Sequence, residues 1–123
     1  MGKFSRDKGA RGERELVAKL RELGIEDAYR SRQYCGSASS ADVLGIPGVH
    51  AEVKRCEKLS IYTAYEQATR DATGTEDTPI VYHRRNNKPW LVVMSIEDWA
   101  ELYNKANTKG CPPHAFCYSD FRI

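Results

Sequence analysis

Apolar residues at Leu16, Val17, Leu20 and Leu23 recur at three- and four-residue intervals, the spacing that lines one face of a helix. The pattern predicts a helix over residues 10–23, stopped by Gly24, with residues 1–9 as a mobile basic arm ahead of it. The next stretch changes period. Residues 27–32 read as a short strand, and residues 33–40, rich in Gly and Ser, as a loop. Two short apolar runs, 41–45 and 49–53, flank Pro47-Gly48 and predict a hairpin. A helix over residues 61–73 follows, ended by Gly74. Runs 79–83 and 90–94 around Asn86-Asn87 predict a second hairpin. Ser95 is placed to cap a last helix from Ile96, with Asp98 at the reciprocal capping-box position. From residue 107 a Pro- and Cys-containing tail shows no assignable period. The order α-β-β-β-α-β-β-α predicts one mixed α/β domain over residues 1–123.

Composition narrows the class. At 123 residues the chain suffices for one hydrophobic core. Its 41% hydrophobic and 29% charged residues are ordinary for a soluble protein. No apolar run approaches the roughly 20 residues of a membrane span, and residues 1–6 lack the apolar stretch of a secretory signal. Cys35, Cys56, Cys111 and Cys117 form no CxxC pair, so free thiols in a reducing cytoplasm are expected. The host could be a bacterial, phage-infected or archaeal cell.

Net charge is only +2, yet the basic residues are bunched. Lys3, Arg6, Lys8, Arg11 and Arg14 crowd the start, Arg30 and Arg32 follow, and Arg84, Arg85 and Lys88 form a third group. Each group alone reads as solvated surface. Together, in a chain that also carries an acidic site, they favour a phosphate-rich partner.

That acidic site is the chemical centre of the sequence. Asp42 lies on the first arm of the hairpin and Glu52 on the second, with Lys54 two residues on. Two carboxylates can hold a hard cation, and an ammonium can orient water or steady a phosphoryl oxygen, which is what metal-assisted phosphodiester hydrolysis needs. Glu52 and Lys54 share one strand face, while Ala51 and Val53 take the other. Glu13 falls within roughly 60° of the apolar stripe of its helix, whereas Glu15 and Glu22 lie on the opposite, solvated face. An acid in a first helical turn is also favoured by the macrodipole alone. One geometric condition follows. A strict two-residue turn would pair Asp42 with Val53 and put Asp42 and Glu52 on opposite faces, so a shared site requires a one-residue offset, a bulge or a bend near Asp42.

Other candidates are weaker. Cys111, His114 and Cys117 offer soft ligands for zinc, with Cys56 or His83 as a fourth, but Pro112-Pro113 intervenes. His83 could serve phosphate or proton transfer, and Ser37 could contact phosphate. The glycines match no phosphate-cradling motif.

The segments Lys8-Gly9-Ala10-Arg11-Gly12-Glu13-Arg14-Glu15-Leu16, Arg30-Ser31, Gly36-Ser37, Ala41-Asp42-Val43 and Glu52-Val53-Lys54 resemble archaeal Holliday junction resolvases and related phage-encoded members of the PD-(D/E)xK nuclease superfamily. His83 to Trp90 is similar to the phage-type members. The resemblance implies a restriction-endonuclease-like core, a mixed central sheet flanked by helices. It implies Glu13, Asp42 and Glu52 as acidic metal ligands, the Val53 carbonyl completing the coordination, Lys54 as catalytic lysine and Gln67 as a supporting polar residue. It further implies a homodimer that cuts four-way junctions with Mg²⁺, for which Mn²⁺ substitutes. Ala41 stands where the family's usual Pro would precede the Asp, the 36–41 loop is longer than in the archaeal enzymes, and the tail matches nothing in the family. The same chemistry on other branched, nicked or nonspecific DNA, or a non-catalytic structure-specific binder, are the alternatives.

Overall fold

The computed structural model describes residues 2–31 and 41–108, with side chains from residue 9 to residue 107. The chain divides into two compact units, Met1–Val93 and Met94–Ile123. The first contains α1 (Gly2–Glu22), β1 (Tyr29–Arg30), β2 (Val43–Leu44), β3 (Val49–Arg55), α2 (Ile61–Ala72), β4 (Thr78–Arg84) and β5 (Leu91–Val93), and the second contains α3 (Ile96–Thr108). The element order is the one the hydrophobic pattern predicts.

Two boundaries differ from expectation. Residues 2–9 are the opening turns of α1 rather than an arm; they hold no proline, so nothing in the backbone prevents the helix from extending N-terminally. The strand expected over residues 27–32 shrinks to Tyr29–Arg30. The Cys111/His114/Cys117 candidate, Arg32 and Ser37 lie outside the described residues, as do the side chains of Lys3, Arg6 and Lys8.

Helix α1 ends as its sequence demands. Ile25 N–H donates to Leu20 O (2.8 Å) and Gly24 N–H to Arg21 O (3.1 Å), the paired bonds of a Schellman cap. The exposed Leu23 belongs to this cap and leaves the buried stripe to Leu16, Val17 and Leu20. In the second unit Ser95 caps α3 as expected, its hydroxyl accepting the Asp98 N–H at 3.0 Å.

The sheet runs β1-β2-β3-β4-β5. Only β3 and β4 are parallel, and α2 is the crossover that a parallel pair requires. Because side chains alternate along a strand, β3 presents Ala51, Val53 and Arg55 to one side and His50, Glu52 and Lys54 to the other. Helix α1 lies on the first side. It approaches so closely that a Cβ on Gly12 would come within 2.6 Å of Arg55 Cβ, so only glycine fits there. Helix α2 covers the second side, where Ala64 and Ala68 pack on Val81 beside Leu59, Tyr65 and Val93. Glu15, expected on a solvated face, instead accepts hydrogen bonds from Arg55 (2.9 Å) and Arg84 (3.2 Å). The C-terminal ends of β3 and β4 bring those guanidiniums to the helix flank, which a helical wheel alone cannot show.

Candidate active site

The site begins with a register shift. Ile46-Pro47-Gly48-Val49 closes a turn through Val49 N–H to Ile46 O at 3.0 Å. Continued strictly from a 46–49 pair, Val43 would oppose Glu52, yet it pairs with Ala51. Gly45 is the extra residue. Its φ of +86° and its seating against the backbone carbonyl of Asp27 leave no room for a side chain. Beyond the Val43–Ala51 pair the chain bends at Asp42. The offset and the bend that a shared site requires are therefore both present.

At that bend Asp42 bonds twice to β3. Its N–H donates to Ala51 O at 2.8 Å, and its carboxylate Oδ2 accepts the Val53 N–H at 2.8 Å. The side chain thus takes the place of a backbone acceptor where β2 has turned away.

Glu52 is buried, and two polar neighbours are linked beside it. Lys54 Nζ donates to Gln67 Oε1 at 3.0 Å, and Gln67 Nε2 reaches Glu52 Oε2 at 3.4 Å. One amide on α2 therefore ties ammonium to carboxylate. Burial, reinforced by the negative charges of Asp42, Asp71 and Glu13 and only partly offset by Lys54, pushes the Glu52 carboxyl up to about 7. Glu13 is raised as well. Burial is the main cause and the Asp42 charge adds to it, against the Arg30 guanidinium bonded to Glu13 Oε1 at 3.0 Å. Carboxylates that raise one another's proton affinity form a site short of positive charge, and Glu52 Oε1 is buried with no hydrogen-bond partner. That donor set suits a hard divalent cation.

Two residues near Glu52 were not singled out in the sequence. His50 and Asp71 bring ligand atoms to within 4.8 Å of one another and of Glu52. A signal existed for each, since His50 lies two residues before Glu52 on the same strand face, and Asp71 lies four after Gln67 on α2.

The basic residues are dispersed. Arg11 and Arg85 are exposed, Arg30 is paired with Glu13, and Arg84 with Glu15. Arg14, Arg21, Tyr29 and Arg30 line one concavity. His83, Arg84, Arg85 and Lys88 line another of about 460 Å³, where His83 Nε2 lies 3.0 Å from Cys56 O.

A five-stranded mixed sheet between two helices, bearing an Asp at a strand bend and a Glu-x-Lys on the next strand, has the restriction-endonuclease-like architecture of the PD-(D/E)xK nucleases. The family model described as "Phage putative PDDEXK endonuclease" matches residues 4–122, and the chain belongs to this endonuclease family. No curated protein and no solved structure matches the chain. No helix among the described residues is long and apolar enough to cross a membrane.

Proposed function

We propose that this chain is a Mg²⁺-dependent DNA endonuclease that resolves four-way junctions as a homodimer, with Asp42, Glu52 and Lys54 at its centre. The observation that supports the nuclease chemistry is the one-residue offset at Gly45 and the bend at Asp42, where Asp42 bonds the backbone of Ala51 and Val53 on either side of Glu52, with Lys54 two residues on. The junction preference and the dimer rest on the resemblance of residues 8–16, 41–43 and 52–54 to junction resolvases.

Asp42, Glu52 and the Val53 carbonyl would hold the ion, with Glu13 beside them. Bound there, the cation supplies Lewis acidity toward a phosphate and lowers the pKa of water. The chain's own groups do the rest. Gln67 holds Lys54 with its ammonium directed along the strand face that carries Glu52, where it can orient water or stabilise charge developing on a phosphoryl oxygen. Arg11, Arg85 and Lys88 offer positive charge to flanking phosphates, a salt-sensitive, sequence-independent attraction suited to reading shape.

The test is a gel assay on a labelled four-way junction and a matched linear duplex, with Mg²⁺ or EDTA, for wild type and Glu52→Ala. Paired symmetric cuts in the junction alone, lost in EDTA and in the variant, are expected. Equal cutting of both substrates would reduce the reading to a general nuclease. Tight junction binding with no cutting would make the chain a structure-specific binder.

A further inference from the structure

On the α2 side of β3, the face that also carries Lys54, His50 and Glu52 are buried with side chains only 4% and 7% exposed. Burying an imidazole nitrogen and a carboxylate oxygen without partners is costly, yet His50 Nε2 and Glu52 Oε1 each lack a hydrogen-bond partner. They face each other across 3.6 Å. That is long for a hydrogen bond. It is close to the roughly 3.4 Å that separates two ligands of one tetrahedral ion with bonds of about 2.1 Å. Asp71 reaches the same point from α2, with all three ligand atoms within 4.8 Å of one another.

We propose that His50, Glu52 and Asp71 form a second cation site, distinct from the one at Asp42, that takes a transition-metal dication. One imidazole and two carboxylates favour Zn²⁺, Mn²⁺ or Co²⁺ over Mg²⁺, because nitrogen is a poor ligand for magnesium. The occupant crosslinks α2 to β3. Asp71 stands one helical turn from Gln67, so the same crosslink steadies the amide that joins Lys54 to Glu52. Glu52 is common to both sites, whereas His50 and Asp71 belong to this one alone.

The probe is Co²⁺, titrated into the full-length metal-free protein and followed by its visible absorption, with Zn²⁺ calorimetry as the second readout. The Asp42→Asn variant removes the nuclease-centre ligand. It should still bind one Co²⁺ with the absorption of a low-coordinate site, and Zn²⁺ should raise its melting temperature. Adding His50→Gln or Asp71→Asn to that variant should weaken binding at least about tenfold and abolish the Zn²⁺-dependent shift. Asp71→Asn, at a half-buried helix position, guards against misfolding at His50, since its metal-free melting temperature should stay near that of the parent. Loss of all Co²⁺ binding in Asp42→Asn alone would overturn the second site. Unchanged affinity in both His50→Gln and Asp71→Asn would overturn it too. Either result would leave the nuclease reading standing, because that reading is judged by DNA cleavage in the wild type and its loss in Asp42→Asn and Glu52→Ala, which these binding measurements do not read.

Discussion

Both faces of β3 carry charged side chains and treat them in opposite ways. Toward α1, Arg55 is answered at every nitrogen: Nε by Glu15 at 2.9 Å, Nη2 by Asn86 at 2.9 Å, with Glu57 3.8 Å from Nη1. Toward α2, Glu52 has one 3.4 Å contact from Gln67, an oxygen without a hydrogen-bond partner, and three further acids whose fields raise its carboxyl. A structural ion cluster is balanced within the chain. The Glu52 side is left short of positive charge, and that shortage separates a site awaiting a ligand from a charged face that merely stabilises the fold.

The comparison can be broken most sharply by activity. Asp42→Asn, Glu52→Gln or Lys54→Ala should each cut single-turnover cleavage by roughly a thousandfold or more. DNA binding should persist, or tighten for the two acid substitutions, which remove negative charge near phosphate. Arg55→Gln, one residue from Lys54 but on the opposite face, should leave cleavage within about tenfold at a temperature where the variant is folded. If Arg55→Gln and Lys54→Ala proved equally inactive, the division of labour between the faces would be wrong.

Stability should respond in the reverse sense. Glu15→Ala strips the carboxylate from two partly buried guanidiniums and should destabilise the fold by about 1–3 kcal/mol in a urea titration. Glu52→Gln, on the other face, should stabilise the metal-free chain at pH 8 by about 1–2 kcal/mol.

The pH dependence has a definite sign. Since the Glu52 carboxyl is raised from 4.5 to about 7 on folding, the native state holds the extra proton between those values, and stability falls as pH rises through that window. Melts in EDTA at pH 5 and pH 8 should show this loss for wild type and a smaller slope for Glu52→Gln. An identical slope in both would mean that Glu52 is not the group responsible. The smallest effect is expected at Gln67→Ala, which loosens Lys54 without removing it and should slow cleavage by about threefold to tenfold.

Much of this was legible along the chain, because local rules operate over a few residues. The periodicity of Leu16, Val17 and Leu20 and the stop at Gly24 located the C-terminal half of α1, and Ser95 with Asp98 located the start of α3. Strand alternation placed Glu52 and Lys54 on one face, and the Pro47-Gly48 turn demanded an offset. The start of α1 was misjudged because a run of basic residues reads equally as arm or helix. Glu15 was misassigned because its partners, Arg55 and Arg84, lie 40 and 69 residues away.

The sequence by itself therefore determined the order of elements and the residue types of the candidate centre, since propensity, capping and side-chain period act between near neighbours. Only the tertiary structure decided that Gly45 would be the bulged residue, seated against the Asp27 carbonyl. It also decided that α2 would lay Gln67 and Asp71 over Glu52, leaving His50 Nε2 buried beside it. Those arrangements depend on which surfaces pack together and how much water they exclude. Burial is the main reason that an ordinary glutamate, alternating on an ordinary strand, holds its proton to about 7.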